Sequence, residues 1–164
     1  MERTPFGDTP ESRCLYYRLV CGLPANIDPP GSGRLTFPAG STAALTMPGP
    51  LGSVLRIYMQ QRGIALGPII VHVGSNRWSF LVRPDVPDDD TRQFSDLFRL
   101  NVMIVRSGAI ALPSPTAAPG GGSRRWIELP RNTFRPSGNV VFVAIGRCTG
   151  INRDPRSLAV HRGR

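Results

Sequence analysis

Apolar and polar positions follow two different periods along this chain, and the switches between them mark out its elements. Residues 1–8 read as a mobile leader. Thr9-Pro10-Glu11 then has the form of a helix start, with a capping hydroxyl, proline in the first turn and an acid beside the positive end of the helix dipole. Leu15 and Leu19, with Tyr16 and Val20, fall on one side of that helix, which ends near Gly22-Leu23-Pro24. Turns at Pro29-Pro30-Gly31 and Pro38-Ala39-Gly40 separate two strand-like pieces, 33–37 and 42–47. Pro48-Gly49-Pro50 opens a second helix with Leu51, Val54, Leu55 and Tyr58 at helical spacing; Arg56, Gln60 and Arg62 face away, and Gly63 closes it. A hairpin follows: an apolar run over 68–73, a turn at Gly74-Ser75-Asn76, and a return over 77–82. Asp88-Asp89-Asp90-Thr91 caps a third helix with Phe94, Leu97 and Phe98 on one side and Arg92 and Arg99 on the other. Strands at 101–105 and 109–112 flank a turn at Arg106-Ser107-Gly108. A Pro/Ala/Gly-rich loop over 113–123 leads to a last strand at 125–129. Ser137 caps a final helix bearing Val140, Val141, Ala144, Ile145 and Cys148. The pattern predicts one α+β domain over 13–149, with a mixed or antiparallel sheet flanked by about four helices. A flexible leader (1–12) and a basic flexible tail (150–164) bracket it.

Composition supports a folded core. Leu, Ile, Val and Phe make up about a quarter of the 164 residues, above the roughly 20% below which disorder sets in. The 18 glycines and 17 prolines argue for a loop-rich domain. No apolar run approaches the roughly 18 residues of a membrane span, and no basic-then-apolar signal opens the chain. A cytoplasmic location with no membrane partner is the expectation. Charge adds more: 20 basic residues against 11 acids give +9 and a pI near 11.1, which suits an anionic partner such as nucleic acid. Every one of those 20 is arginine. Arginine forks onto phosphate and stacks on bases, and a GC-rich genome gives the same lysine-free usage.

Inventory excludes most catalytic templates. There is no Gly-x-Ser-x-Gly elbow, and Gly120-Gly121-Gly122-Ser123 lacks the lysine of a phosphate loop. Cys14, Cys21 and Cys148 do not have zinc-site spacing, so no metal or other cofactor is expected, and Cys14 and Cys148 fit buried helix faces. Asp85 and the Asp88–Asp90 run suit a helix N-terminus without a cation, and His72, inside an apolar run, suits a structural role. The hairpin return is richer. Trp78 and Phe80 share one face of it and Arg77 and Arg83 the other, an arrangement that fits core and solvent, or phosphate contact with stacking.

Gly108-Ala109-Ile110-Ala111-Leu112-Pro113-Ser114, followed after a loop by Arg125-Trp126-Ile127, resembles the closing segment of the bifunctional primase-polymerase N-terminal domain. In that family a glycine turn and a strand ending in Pro-Pro-Ser precede a Tyr/Arg-Trp strand. Residues 67–80 resemble its strand and glycine turn leading into a His-containing strand, and residues 35–55 fall where it has an acidic strand end and a helix. The likeness spans about Arg34 to Cys148 and is greatest to small actinobacterial proteins with a degraded form of the domain. Active members hold divalent metals on carboxylates. Here Leu45-Thr46-Met47-Pro48 stands at the first acidic motif. Arg77 is nearest the nucleotide-binding histidine, and Val102-Met103-Ile104-Val105-Arg106 replaces the aspartate before an arginine. The resemblance therefore implies no nucleotidyl transfer, with Arg77, Arg106 and Ser114 as remnants of a phosphate groove.

The expectation is a non-catalytic module that binds nucleic acid, single-stranded DNA foremost, or a nucleotide. Arg77, Trp78, Arg83, Arg106, Ser114 and Arg125 are its candidate residues. The alternatives are an adaptor that docks an acidic protein of the replication or transcription machinery, and an enzyme with relocated acids at Asp85, Asp88, Asp89 and Asp90.

Overall fold

The computed structural model describes residues 5–86, 88, 91–115 and 122–150. Helix α1 (Pro10–Leu19) starts on a reciprocal cap: the Ser12 amide donates to Thr9 Oγ1 and the Thr9 amide to Ser12 Oγ, each at 3.1 Å. Residues ahead of it are packed as well. Phe6 meets Tyr16 edge-on at 5.0 Å between centroids, and the Arg13 guanidinium lies 3.6 Å over the Phe6 ring. Three short strands, β1 (Asn26–Ile27), β2 (Leu35–Pro38) and β7 (Ala109–Leu112), form an antiparallel sheet in the order β1-β2-β7.

The larger sheet contains β3 (Ala43–Pro48), β4 (Ile69–His72), β5 (Arg77–Val82), β6 (Met103–Val105) and β8 (Arg124–Glu128), all antiparallel in the order β6-β3-β5-β4-β8. One of its faces carries Leu45, Met47, Ile69, Phe80 and Val82, which pack under α2 (Gly49–Gln61) and α4 (Gly138–Thr149). Contact there is close: a Cβ on Gly52 would lie 2.7 Å from the Trp78 ring, so glycine lets α2 rest on the indole. Phe142 of α4 meets Phe94 of α3 (Thr91–Arg99) edge-on. The opposite face, through Ala44, Ile70 and Leu81, packs against α1 and the small sheet in a second core with Tyr17, Leu23, Leu35 and Phe37. Arg56 of α2 binds Glu128 of β8 through both Nε and Nη2, tying the helix layer to the sheet edge.

The α+β class and the four helices agree with the sequence pattern, but the strands divide between two sheets because β2 pairs with β7 rather than with β3. Ser137 caps α4 as expected: its Oγ accepts from the Val140 amide and donates to Asp85 Oδ2 at 2.7 Å. Asp85 also accepts from the Asn139 amide. Slight burial works to raise its pKa, and these hydrogen bonds outweigh that and lower it. Asp89 and Asp90 lie outside the described residues, and Asp88 is exposed.

Several apolar residues expected inside stay outside. Leu15, Leu19, Val54, Phe98 and Val140 are all exposed, because each helix has one buried face and its apolar residues extend beyond it. Buried Tyr16 and Tyr17 take the place of Leu15 and Leu19 in α1. Among the described residues no helix is long and apolar enough to cross a membrane.

Candidate functional site

The face of the large sheet that meets the small sheet is covered over only part of its length. Alternation places Thr46 of β3, Arg77 and Ser79 of β5, His72 of β4, and Arg124 and Trp126 of β8 on this face. The register aligns them, since His72 pairs with Arg77 on one side and with Arg124 on the other. Adjacent strands stand about 4.8 Å apart, so Arg77, His72 and Arg124 leave the sheet within roughly 10 Å of each other. Among the described residues none of the three has a carboxylate partner.

Each is held differently. Arg77 Nη2 donates to Thr46 Oγ1 at 3.1 Å and to the Asn101 carbonyl at 2.9 Å. His72 Nε2 and buried Ser79 Oγ share a hydrogen bond of 2.8 Å. Burial, then the Arg124 and Arg77 charges, lower the His72 pKa below its ordinary value, which favours the neutral ring. Arg124 Nε is buried without a hydrogen-bond partner. Burial and the nearby Arg34 charge both lower the Arg124 pKa.

Two hollows extend the row, and both are lined by Ser114 and Arg124. The larger, about 400 Å³, is completed by Asp8, Arg13, Pro113, Pro115, Arg125 and Trp126. The smaller, about 250 Å³, lies toward Arg34, Thr36 and Ser123. Tyr17 fixes the wall between sheet and segment: its hydroxyl donates to the Pro113 carbonyl at 2.6 Å and accepts from Trp126 Nε1 at 3.0 Å. Burial pushes the Tyr17 pKa up to about 12, so the hydroxyl stays a donor at neutral pH. The result is a groove lined by Arg13, Arg34, Arg124 and Arg125 and, among the described residues, one carboxylate, Asp8; Arg77 stands beside it across β4, its guanidinium turned to Thr46 and Asn101.

Of the six residues singled out in the sequence, Arg77, Ser114 and Arg125 lie in or beside this groove. Arg83 and Arg106 do not. Arg83 follows β5 at its far end, roughly 20 Å along the strand from Arg77. Arg106 leaves β6 toward α3, with its guanidinium 5.9 Å from the Phe94 ring centroid, on the helix-covered side. A single groove shared by Arg77, Arg83 and Arg106 is therefore not what the fold builds. Trp78 also faces away: it packs on Gly52 and stacks at 6.4 Å with Phe80, so it fills the α2 interface. The groove's aromatic is Trp126.

Sequence reading missed Arg34, His72 and Arg124 as groove residues. The hairpin about Gly74-Ser75-Asn76 carried the His72–Arg77 pairing, and period-two alternation put Arg124 on the same face as Trp126. Among the described residues no group of three His, Cys, Asp or Glu side chains is placed to hold a metal ion. Comparison of the chain with protein-family models, curated proteins and solved structures finds no match.

Proposed function

We propose that the groove binds the phosphates of a nucleic-acid strand, single-stranded DNA foremost, and performs no chemistry on it. The observation that carries this reading is the Arg77–His72–Arg124 row, two arginines flanking a histidine on adjacent strands, with no carboxylate partner among the described residues. Burial and the two guanidinium charges disfavour the charged His72 ring, and a bound polyanion relieves the charge repulsion. Arg13, Arg34 and Arg125 continue the positive lining, Ser114 offers a hydroxyl, and Trp126 offers a ring for a base. Phosphate contacts of this kind give affinity without sequence choice. The donor set favours binding over catalysis, because two-metal nucleotidyl transfer needs converging carboxylates and, among the described residues, the groove has Asp8 alone. A cytoplasmic location goes with this reading.

Fluorescence anisotropy of labelled single-stranded and duplex DNA, from roughly 50 to 300 mM salt, tests it. Full-length protein should bind with a steep salt slope and prefer the single strand. Arg34→Ala with Arg124→Ala should weaken binding and flatten the slope by about 0.7 per arginine removed. An unchanged slope in that variant removes the groove from the reading.

A further inference from the structure

A second surface lies on the other side of the molecule. The α2–α4 pair leaves apolar side chains outside that neither core absorbs: Val54 is 50% exposed, Ile57 49% and Val140 43%. These are not scattered. Val54 stands four residues before half-buried Tyr58 on α2, and Val140 stands four residues before Ala144 on α4, where Ala144 joins the core and Val140 does not. Between the helices runs a hollow of about 250 Å³, lined by Tyr58, Ile64, Val140, Val143, Ala144 and Arg147. It lies across the helix layer from the Arg77–His72–Arg124 row, so the two surfaces are independent.

Charge sets the character of this hollow. Neither α2 nor α4 contains an acidic residue. The α2 N-terminus sits at the Arg77 end of β5, where the Gly49 amide donates to the Asn76 carbonyl, while α4 starts beside Arg83 at the other end. The helices therefore run in opposite senses; Arg147, in the last turn of α4, lines the hollow, and Arg62, the C-cap of α2, stands outside the lining next to Tyr58. Arg62 lies 5.3 Å over the Tyr58 ring. The acids bonded to the two helices are already engaged, Glu128 by Arg56 and Asp85 by the start of α4.

We infer that the α2–α4 hollow docks an amphipathic helix of a partner protein, its apolar stripe seated between Tyr58 and Val140 and its acidic flanks meeting Arg62 and Arg147. Helix-in-groove recognition supplies the geometry, with apolar anchors at helical spacing, and the acid-free rim selects the sign of the flanks. The same charge argues against the other occupants. A second copy joined by twofold symmetry would set Arg62 and Arg147 against their own kind. The chain's own residues 151–164, with four arginines and one aspartate, bring the same repulsion.

The test is titration of isotope-labelled full-length protein with three synthetic peptides. One has leucines at i, i+3, i+4 and i+7 with glutamates between them; the second replaces glutamate with lysine; the third scrambles the first. The glutamate peptide should bind, with amide shifts centred on Tyr58, Val140, Val143 and Ala144. Val140→Glu, a surface change, should weaken it about tenfold, and Arg62→Glu with Arg147→Glu should transfer preference to the lysine peptide. Equal binding of the scrambled peptide, shifts centred on Arg34 and Arg124, or a dimer in sedimentation that Val140→Glu dissolves would each overturn the inference. Failure of DNA binding at the groove would leave it untouched.

Discussion

The two faces of the five-stranded sheet are built from alternate residues of the same strands, yet they do opposite things. Leu45, Met47, Trp78 and Phe80 lie against α2 and α4, where glycine replaces any side chain that would hold the helix off. Thr46, Arg77 and Ser79, their immediate neighbours in sequence, face the other way and end in a basic groove. On the first face the strand centres are apolar, and the charged residue at its edge, Glu128, is bound by Arg56 of α2. On the second, Ala44, Leu81 and Ile70 complete a core only as far as the small sheet reaches, and beyond it the row turns polar and then cationic. A strand can thus carry stability on one face and leave charge unneutralised on the other, because a period of two keeps the faces separate.

Two arginines make the contrast sharpest. Arg135 is 7% exposed and donates to the carbonyls of Cys21, Asn132 and Phe134, joining the end of α1 to the segment before α4. Arg135→Met should leave those carbonyls unpaired and lower stability by about 3 kcal/mol, read by urea unfolding. Gly52→Ala should cost about 2 kcal/mol by the same measurement, because its Cβ has no room against the Trp78 ring. Arg124→Ala should behave in reverse, with no loss of stability and DNA affinity reduced about tenfold at low salt. Arg106→Ala, on the helix-covered side, should change that affinity less than twofold; a drop equal to that of Arg124→Ala would erase the distinction between the faces.

The smallest expected effect is in pH. The fold lowers the His72 pKa through burial and the Arg124 and Arg77 charges, so the unfolded chain takes up its proton first as pH falls. The stability from a neutral His72 is therefore present above the unfolded value near 6.5 and is lost as pH falls from there toward the folded value. A bound phosphate reverses the balance. Anion affinity should rise over the same interval, and histidine NMR should show a higher His72 pKa with the oligonucleotide than without it. His72→Asn should remove both trends.

Much of the fold was legible because local signals dominate its elements. The hairpin return was expected at the residues that form β5, and the Ser137 cap marked the start of α4. Division into two sheets was not legible, since β2 meets β7 across more than seventy residues and no local pattern carries that pairing. The same reason hid the site. Arg77 and Ser114 were visible as polar residues at strand ends, while Arg124 joins them only through the pairing of β4 with β8. Arg106 misled because alternation only pairs it with Ile104, and it takes the β3–β6 register to show that Ile104, opposite Leu45, lies on the helix-covered side. Val54, Phe98 and Val140 misled for a simpler reason: helical spacing marks an apolar stripe without giving its buried width.

The central claim is that the Arg77–His72–Arg124 row is where phosphate binds. Side-chain NMR of the full-length protein, titrated with single-stranded DNA at low salt, tests this most directly. The account predicts the largest shifts at the guanidinium Nε–H groups of Arg77 and Arg124 and at the His72 ring, with Arg83 and Arg106 unmoved. Shifts confined to residues 151–164, or spread evenly over all arginines, would contradict it.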